Sequence, residues 1–384
     1  MKKIALFSCF SPDIGGGGVN FRTQIAGLRG YDLTWAYLGH GPCRYSGCKT
    51  VCLGSPWVGG PIVKDLVGSP FLWSGLWKGP ARRLASQLAD LNPDAFWILA
   101  MNEGVLVLPE LRRMTGKPIH VSVQDDQEKG MFARMVRYGW MSGLARQPLA
   151  RALHTAHSVD VTSEGMRQYY ERELGLQSKV SHLVMTASVR SGEAQVSSDA
   201  WTVGHIGTLY DETVGLRFGE ALRMLASRTG KRVRWHLIGL APKFKKLRKQ
   251  FGDLIEDHGN MPEEAAVDIL CQCHAVYAMY PFKNSASVFR QTSFPTKLST
   301  YLQAGRPIFA HTPGDSTLAD FVQKFELGHV CQTLDPASIA SELMVTCQMN
   351  IPASRFQAAA NTVFGPKNIQ VIQDCLDALP CSPR

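Results

Sequence analysis

The feature that most constrains this chain is an alternation of strand and helix that runs through it twice. In the first half, compact apolar segments read as buried strands at Lys3–Phe10, Ala95–Ala100, Pro118–Val123 and Val159–Thr162. Helical patterns lie between them at Val19–Leu28, Glu103–Met114 and Arg146–Ala156, and Ser163 caps another helix running to about Leu174. The stretch Pro56–Pro80 is rich in Gly, Pro and Trp and is left unassigned; an acceptor surface and a plain packed loop are equal readings of it. The polar, small-residue stretch Thr186–Asp199 breaks the pattern and reads as a linker.

The alternation then restarts. Trp201–Ile206, Val233–Ile238, Ala275–Tyr280 and Gly328–Cys331 read as strands. Val214–Ser227, Pro262–Leu270, Pro336–Cys347 and Lys367–Leu379 read as helices, and Ser285–Thr292 as a loop. Repeated strand–helix units imply parallel sheets covered on both faces, with ligands binding beyond the carboxyl ends of the strands. The expected organisation is one domain over residues 1–190, a second over 200–363 and a terminal helix over 364–384. With 384 residues, each domain has enough chain for its own core.

The most specific stretch is Ser293–Phe309, SFPTKLSTYLQAGRPIF. Ser293 is a good helix N-cap, and Pro295 is tolerated in a first turn. Phe294, Leu298, Tyr301 and Leu302 recur at helical spacing and face inward, with Lys297 and Thr300 on the other face. Gly305 stops the helix before a strand at Ile308-Phe309-Ala310. A helix N-terminus carries about half a positive charge and free N–H groups, so Lys297 beside it makes a pocket for a diphosphate.

This stretch resembles the donor-site helix of GT-B glycosyltransferases, especially glycosyltransferase family 4 and its relatives, which read P-[ST]-K-L-x-E-[YF]-[LM]-A-A-G-[KR]-P. The match covers Pro295, Thr296, Lys297, Leu298, Tyr301, Leu302, Ala304, Gly305, Arg306 and Pro307; Thr300 stands where the family has a glutamate for the donor ribose. The resemblance implies an α/β GT-B fold of two Rossmann-like domains whose parallel sheets face across a cleft. It also implies a metal-independent, retaining transfer of sugar from a nucleotide-diphosphate sugar to a hydroxyl on a glycan or lipid-linked acceptor, with no cofactor besides that co-substrate. A sugar-nucleotide epimerase and a non-catalytic GT-B protein binding glycan or a partner are the rival readings.

Site expectations follow. Gly15–Gly18 opens the first helix, and Gly16 and Gly17 would face the donor diphosphate. Asp125 and Asp126 follow a buried strand and would serve the acceptor, either one as general base. In the second half the resemblance assigns donor contacts to Thr208 after the strand ending at Ile206, to Gly239 after RWHLIG, and to Met261 after His258-Gly259-Asn260. Arg290, Lys297 and Thr300 complete the donor set.

Composition narrows the partners. Forty-one Lys and Arg against thirty-two Asp and Glu leave +9, which suits phosphate-rich ligands or an anionic membrane surface. No nucleic-acid motif stands out, so no nucleic acid is expected. The basic run Lys243–Lys249 interleaves Phe244 and Leu247 with charge, as a solvated helix face or a peripheral membrane contact would. No apolar run is long enough to span a bilayer, and MKKIALFSCF reads as a first strand rather than a secretory signal, so a cytoplasmic location is expected. The ten cysteines lack paired C-x2-C spacing and read as reduced, mostly buried thiols; no metal site is expected.

Overall fold

The computed structural model describes residues 1–13, 15–54, 74–131, 143–182, 184–185, 188–190, 196, 198–240 and 244–380. The chain divides into two compact units: Met1–Val184 with Gln291–Ser293 and Pro366–Arg384, and Met185–Arg290 with Phe294–Gly365. Parts of two sequence expectations, Pro56–Pro80 and the linker Thr186–Asp199, lie outside the described residues.

The first unit contains β1 (Lys2–Ser8), α1 (Gly15–Gly27), β2 (Tyr31–Tyr37), β3 (Lys49–Cys52), α2 (Lys78–Ala89), β4 (Ala95–Leu99), α3 (Glu103–Thr115), β5 (Ile119–Val123), α4 (Gly143–Thr155), β6 (Ser158–Val161), α5 (Glu164–Leu174) and β7 (Lys179–Val180). Its seven strands are all parallel, in the order β3-β2-β1-β4-β5-β6-β7. Every residue of β4 and β5 is buried, as central strands covered on both faces require. Phe21, Trp35 and Trp97 meet edge to face in one of its cores, with centroids 5.8 and 5.1 Å from Phe21. The terminal helix Lys367–Asp377 adds Ile372 and Leu376 to the same core, and Gly27 of α1 leaves room for Ile369.

The second unit contains β8 (Ala200–Ile206), α6 (Glu212–Thr229), β9 (Arg232–Ile238), α7 (Lys245–Phe251), β10 (Ile255–Gly259), α8 (Glu263–Leu270), β11 (Ala275–Met279), α9 (Ser287–Thr292, whose end clusters with the first unit), α10 (Lys297–Ala304), β12 (Ile308–His311), α11 (Thr317–Phe325), β13 (Gly328–Cys331), α12 (Pro336–Cys347) and α13 (Ala353–Val363). Its six parallel strands run β10-β9-β8-β11-β12-β13. The core is aromatic: Phe218 stacks on Tyr277 at 3.8 Å and meets Trp235 edge-on at 5.1 Å.

Three local expectations change. Ser285–Thr292 is not a loop but a 3-10 turn followed by α9. In the basic run, of which Lys243 lies outside the described residues, Phe244 and, in α7, Leu247 and Phe251 are buried in the core, with Lys245, Lys246, Lys249 and Gln250 exposed. Its apolar side therefore packs inward and is not presented to a membrane. Finally, α10 begins at Lys297, with no side-chain cap, and Ser293 does not cap it. Among the described residues no helix is long and apolar enough to cross a membrane.

Candidate functional site

In each sheet the strand order reverses between two neighbours, β1 and β4 in the first and β8 and β11 in the second. Crevices beyond the carboxyl ends of strands at such switch points are where open α/β sheets take ligands. The sequence-derived site residues form two groups: Gly16 and Gly17 follow β1 and Asp125 and Asp126 follow β5 in the first unit, while Thr208, Gly239 and Met261 follow β8, β9 and β10 and Arg290, Lys297 and Thr300 lie in α9 and α10.

In the second unit, β8 ends in Gly207 and Thr208, and β9 ends in Gly239. Gly207 and Gly239 have φ of +79° and +68°, a left-handed region that glycine enters without cost. The turn closes by Gly207 N–H donating to Ile238 at 2.7 Å and Gly239 N–H donating to Gly259 at 2.7 Å. A side chain on Gly239 would stand 3.3 Å from the Asn260 amide oxygen. The rim is thus built of backbone from three adjacent strands, half-buried at Gly207 and Gly239 and exposed at Gly259, with Met261 half-buried just beyond it.

Lys297 reaches this rim from the start of α10. Its Nζ donates to the Thr208 carbonyl at 2.9 Å and sits 5.1 Å from the centre of the Tyr210 ring. Burial pushes the ammonium down to a pKa of about 7. Beneath it, His205 is fully buried, with Nδ1 2.9 Å from the Tyr277 carbonyl and Nε2 3.1 Å from the Gly207 carbonyl; burial first, then Lys297, push its pKa well down, and the neutral ring donates to one of the two carbonyls. Tyr301 donates to the Tyr277 carbonyl at 2.7 Å, fixing α10 against the strand ends.

Thr300 is buried rather than on an open face, because residues Leu298–Ala304 are buried all round the helix. Its hydroxyl donates at 2.9 Å to Glu263, which also accepts from Gln303 at 3.0 Å. A carboxylate therefore stands beside the position where the sequence pattern lacks one, supplied by the first turn of α8. Only its place in Pro-Glu-Glu directly after a strand end could have signalled it.

Arg290 is not an open cation. It is 6% exposed and forms a two-pronged pair with Asp315, at 2.6 and 2.8 Å, while donating to the Lys283 carbonyl at 3.0 Å. Such planar pairing consumes most of the guanidinium's donors.

In the first unit, Gly16 and Gly17 lie in the first turn of α1 rather than in a loop before it. A Cβ on Gly17 would come 2.7 Å from both Gln124 Oε1 and the Phe10 ring, so this glycine serves close packing. Asp126 does not face outward: it is 1% exposed, and accepts from Tyr170 at 2.9 Å and from the Lys129 N–H at 2.8 Å. Asp125 is partly exposed and accepts from Ser293 at 2.6 Å. Sequence reasoning missed Asn102, at the N-cap of α3 just past β4, held at φ 45° and ψ −111° with its N–H donating to Gln127 at 3.0 Å. Non-glycine strain of this kind concentrates at functional sites.

No family model matches the chain, and no curated protein matches it. Solved structures do. A sucrose-phosphate synthase from Thermosynechococcus elongatus is similar at a TM-score of 0.73, with 14% identity over 98% of this chain and 98% of that one. A trehalose-6-phosphate structure from E. coli, bound with UDP-2-fluoro glucose, is similar at 0.64, with 12% identity and 98% of each chain covered. A UDP-forming α,α-trehalose-phosphate synthase from Burkholderia xenovorans in complex with glucose-6-phosphate is similar at 0.64, with 11% identity, covering 98% of this chain and 99% of that one. At these identities the likeness establishes the fold: the chain has the α/β GT-B fold, with two Rossmann-like parallel-sheet units.

Proposed function

We propose that this protein is a glycosyltransferase that moves a sugar from a nucleoside-diphosphate sugar to an acceptor hydroxyl, without a metal in the chemical step and with retention at the anomeric carbon. The observation that carries the reading is the Lys297 ammonium held beside Gly207 and Thr208 at the switch point of the second sheet. A cation there would stabilise the diphosphate as it departs with its added charge, which is electrostatic catalysis at the atom that needs it. The Gly239–Asn260–Met261 rim would offer backbone groups to the base. Glu263, steadied by Thr300 and Gln303, would take the ribose hydroxyls in place of the glutamate absent at Thr300. Asp125, rather than the buried Asp126, is the carboxylate we assign to the acceptor hydroxyl. Uridine is the first base to test, because the similar structures include UDP-forming synthases; hexose phosphates join glycans and lipid-linked sugars as acceptors for the same reason. Kinship with glycosyltransferase family 4, a cytoplasmic site of action and an electrostatic membrane contact through the α7 lysines belong to the same proposal.

The test is release of nucleoside diphosphate from UDP-, GDP- and ADP-hexoses, with and without each acceptor class, in the presence of EDTA. Acceptor-dependent release and retained anomeric configuration by NMR are expected. The engagement of Arg290 with Asp315 favours a second reading, a GT-B protein that binds its ligand without turnover. Tight diphosphate binding with no release against any acceptor would establish that reading instead, and conversion of the free nucleotide sugar alone would mark an epimerase. Asp125→Asn should lower turnover by about 10²–10⁴-fold if the carboxylate acts as general base. Wild-type turnover in that variant removes Asp125 from the reaction.

A further inference from the structure

The edge of the second sheet holds a group of side chains that the donor-site reading does not use. β10 is the edge strand, and Glu256 and His258, two residues apart, point to the same face of it. The parallel register sets Glu256 opposite His236 on β9, and the pairing slips between Asp257 and Gly259, at His258. The two imidazoles stack, with centroids 5.2 Å apart and planes 17° from parallel. His236 Nδ1 faces His258 Nε2 at 3.0 Å, and the Glu256 carboxylate stands 3.7 Å from the first and 3.8 Å from the second. Asp257 points away and is engaged by Arg248 at 2.7 Å.

Two ring nitrogens this close must either share a proton or turn both lone pairs on a common cation. In a tetrahedral zinc site with metal–nitrogen bonds of about 2.0–2.1 Å, neighbouring ligand atoms are about 3.3 Å apart. The three separations here bracket that figure. We propose that His236, Glu256 and His258 form a binding site for a divalent transition-metal ion of the zinc type, with solvent completing the coordination at the open sheet edge. Both rings are partly shielded, at 17% and 19% side-chain exposure, whereas the carboxylate is 51% exposed and can swing in to bind. A metal here would tie β10 to β9 one residue before Gly259 and Asn260, steadying the rim without touching the chemistry. This site goes beyond the proposed transfer reaction and stands or falls independently of it.

The test titrates zinc(II), and cobalt(II) as its spectroscopic substitute, into the full chain. One ion is expected to bind and to raise the melting temperature. The cobalt spectrum should lack thiolate charge transfer. His258→Gln and His236→Gln should each weaken binding by at least the ~10–100-fold that loss of even an outer-shell partner costs. Glu256→Gln, at an exposed position that leaves the fold intact, should weaken it measurably. Equal affinity in wild type and Glu256→Gln, equal affinity in wild type and His258→Gln, a thiolate band, or no binding at millimolar metal would each overturn the proposal.

Discussion

The two sheets share a strand order and differ in what fills their centres. In the first, a carboxylate sits inside: Asp160 on β6 accepts from Ser122 and from Ser181, and its Oδ1 lies 3.1 Å from His120 Nε2. Ser122 in turn accepts from Trp97 at 2.8 Å, so three strands and the residue after β7 converge on one polar knot. In the second, the same depth is occupied by Phe218, Tyr277, Trp235 and Phe309, with Phe218 and Phe309 rings 5.9 Å apart. The strand ends differ too. Asp126 and Asn102 in the first unit are held by Tyr170 and Gln127, while Lys297 in the second has a carbonyl and a ring face beside it and, among the described residues, no carboxylate within ion-pair distance. One topology therefore accommodates a buried carboxylate network beside the Phe21–Trp35–Trp97 cluster in one sheet and a stacked aromatic core in the other.

The largest effect should come from the aromatic core. Phe218→Ala leaves a cavity under Tyr277 and Trp235 and is expected to destabilise the second unit by about 3–5 kcal/mol, read as an early unfolding transition in denaturant. A loss below about 1 kcal/mol would mean that the site collapses freely and that the stack is not what organises this sheet.

Next is Lys297. Lys297→Ala should weaken nucleoside-diphosphate binding by about 1.5–3 kcal/mol, roughly ten- to a hundredfold, without unfolding the protein. The pH dependence sharpens this. The folded-state pKa is depressed from 10.5 to about 7. Between those values the unfolded chain holds a proton there that the folded one lacks, so this residue's contribution to stability rises with pH across that window and levels off above it. Diphosphate binding needs the charged form, so above pH 7 it should take up a proton, and affinity should fall as pH rises. Calorimetry in buffers of different ionisation enthalpy measures that uptake, and Lys297→Met should abolish it. Uptake persisting in the variant would assign the proton to another group.

In the polar core, Asp160→Asn keeps the volume but cannot accept at both oxygens. A cost of about 1–3 kcal/mol is expected, because buried hydroxyls lose their acceptor. A neutral outcome would show that the carboxylate is no more than a packing unit. The smallest effect concerns Glu263. Thr300→Val removes one of two bonds that steady it, worth about 0.5–1.5 kcal/mol. UDP affinity should fall by that amount while binding of inorganic diphosphate stays constant. A matching loss for diphosphate would detach Glu263 from the ribose.

What the sequence determined by itself is local. Periodicity located the strands Trp201–Ile206, Val233–Ile238 and Ala275–Tyr280 within a residue or two of β8, β9 and β11, because a run of buried residues flanked by turn formers leaves the backbone few alternatives. Gly305 stops α10 at φ +63°, where an L side chain would strain. What only the tertiary structure decided is partnership. Ser293 reads locally as a cap, yet bonds to Asp125, 168 positions earlier in the chain. Arg290 reads as a donor-binding cation on a loop, yet lies in α9 and closes on Asp315. Asp125 and Asp126 are adjacent and alike, and only packing separates the buried one from the accessible one. His236, Glu256 and His258 become neighbours through the register of two parallel strands. Propensity acts over a few residues, whereas the side chain that meets a given hydroxyl, guanidinium or imidazole depends on which distant strand lies alongside and at what offset.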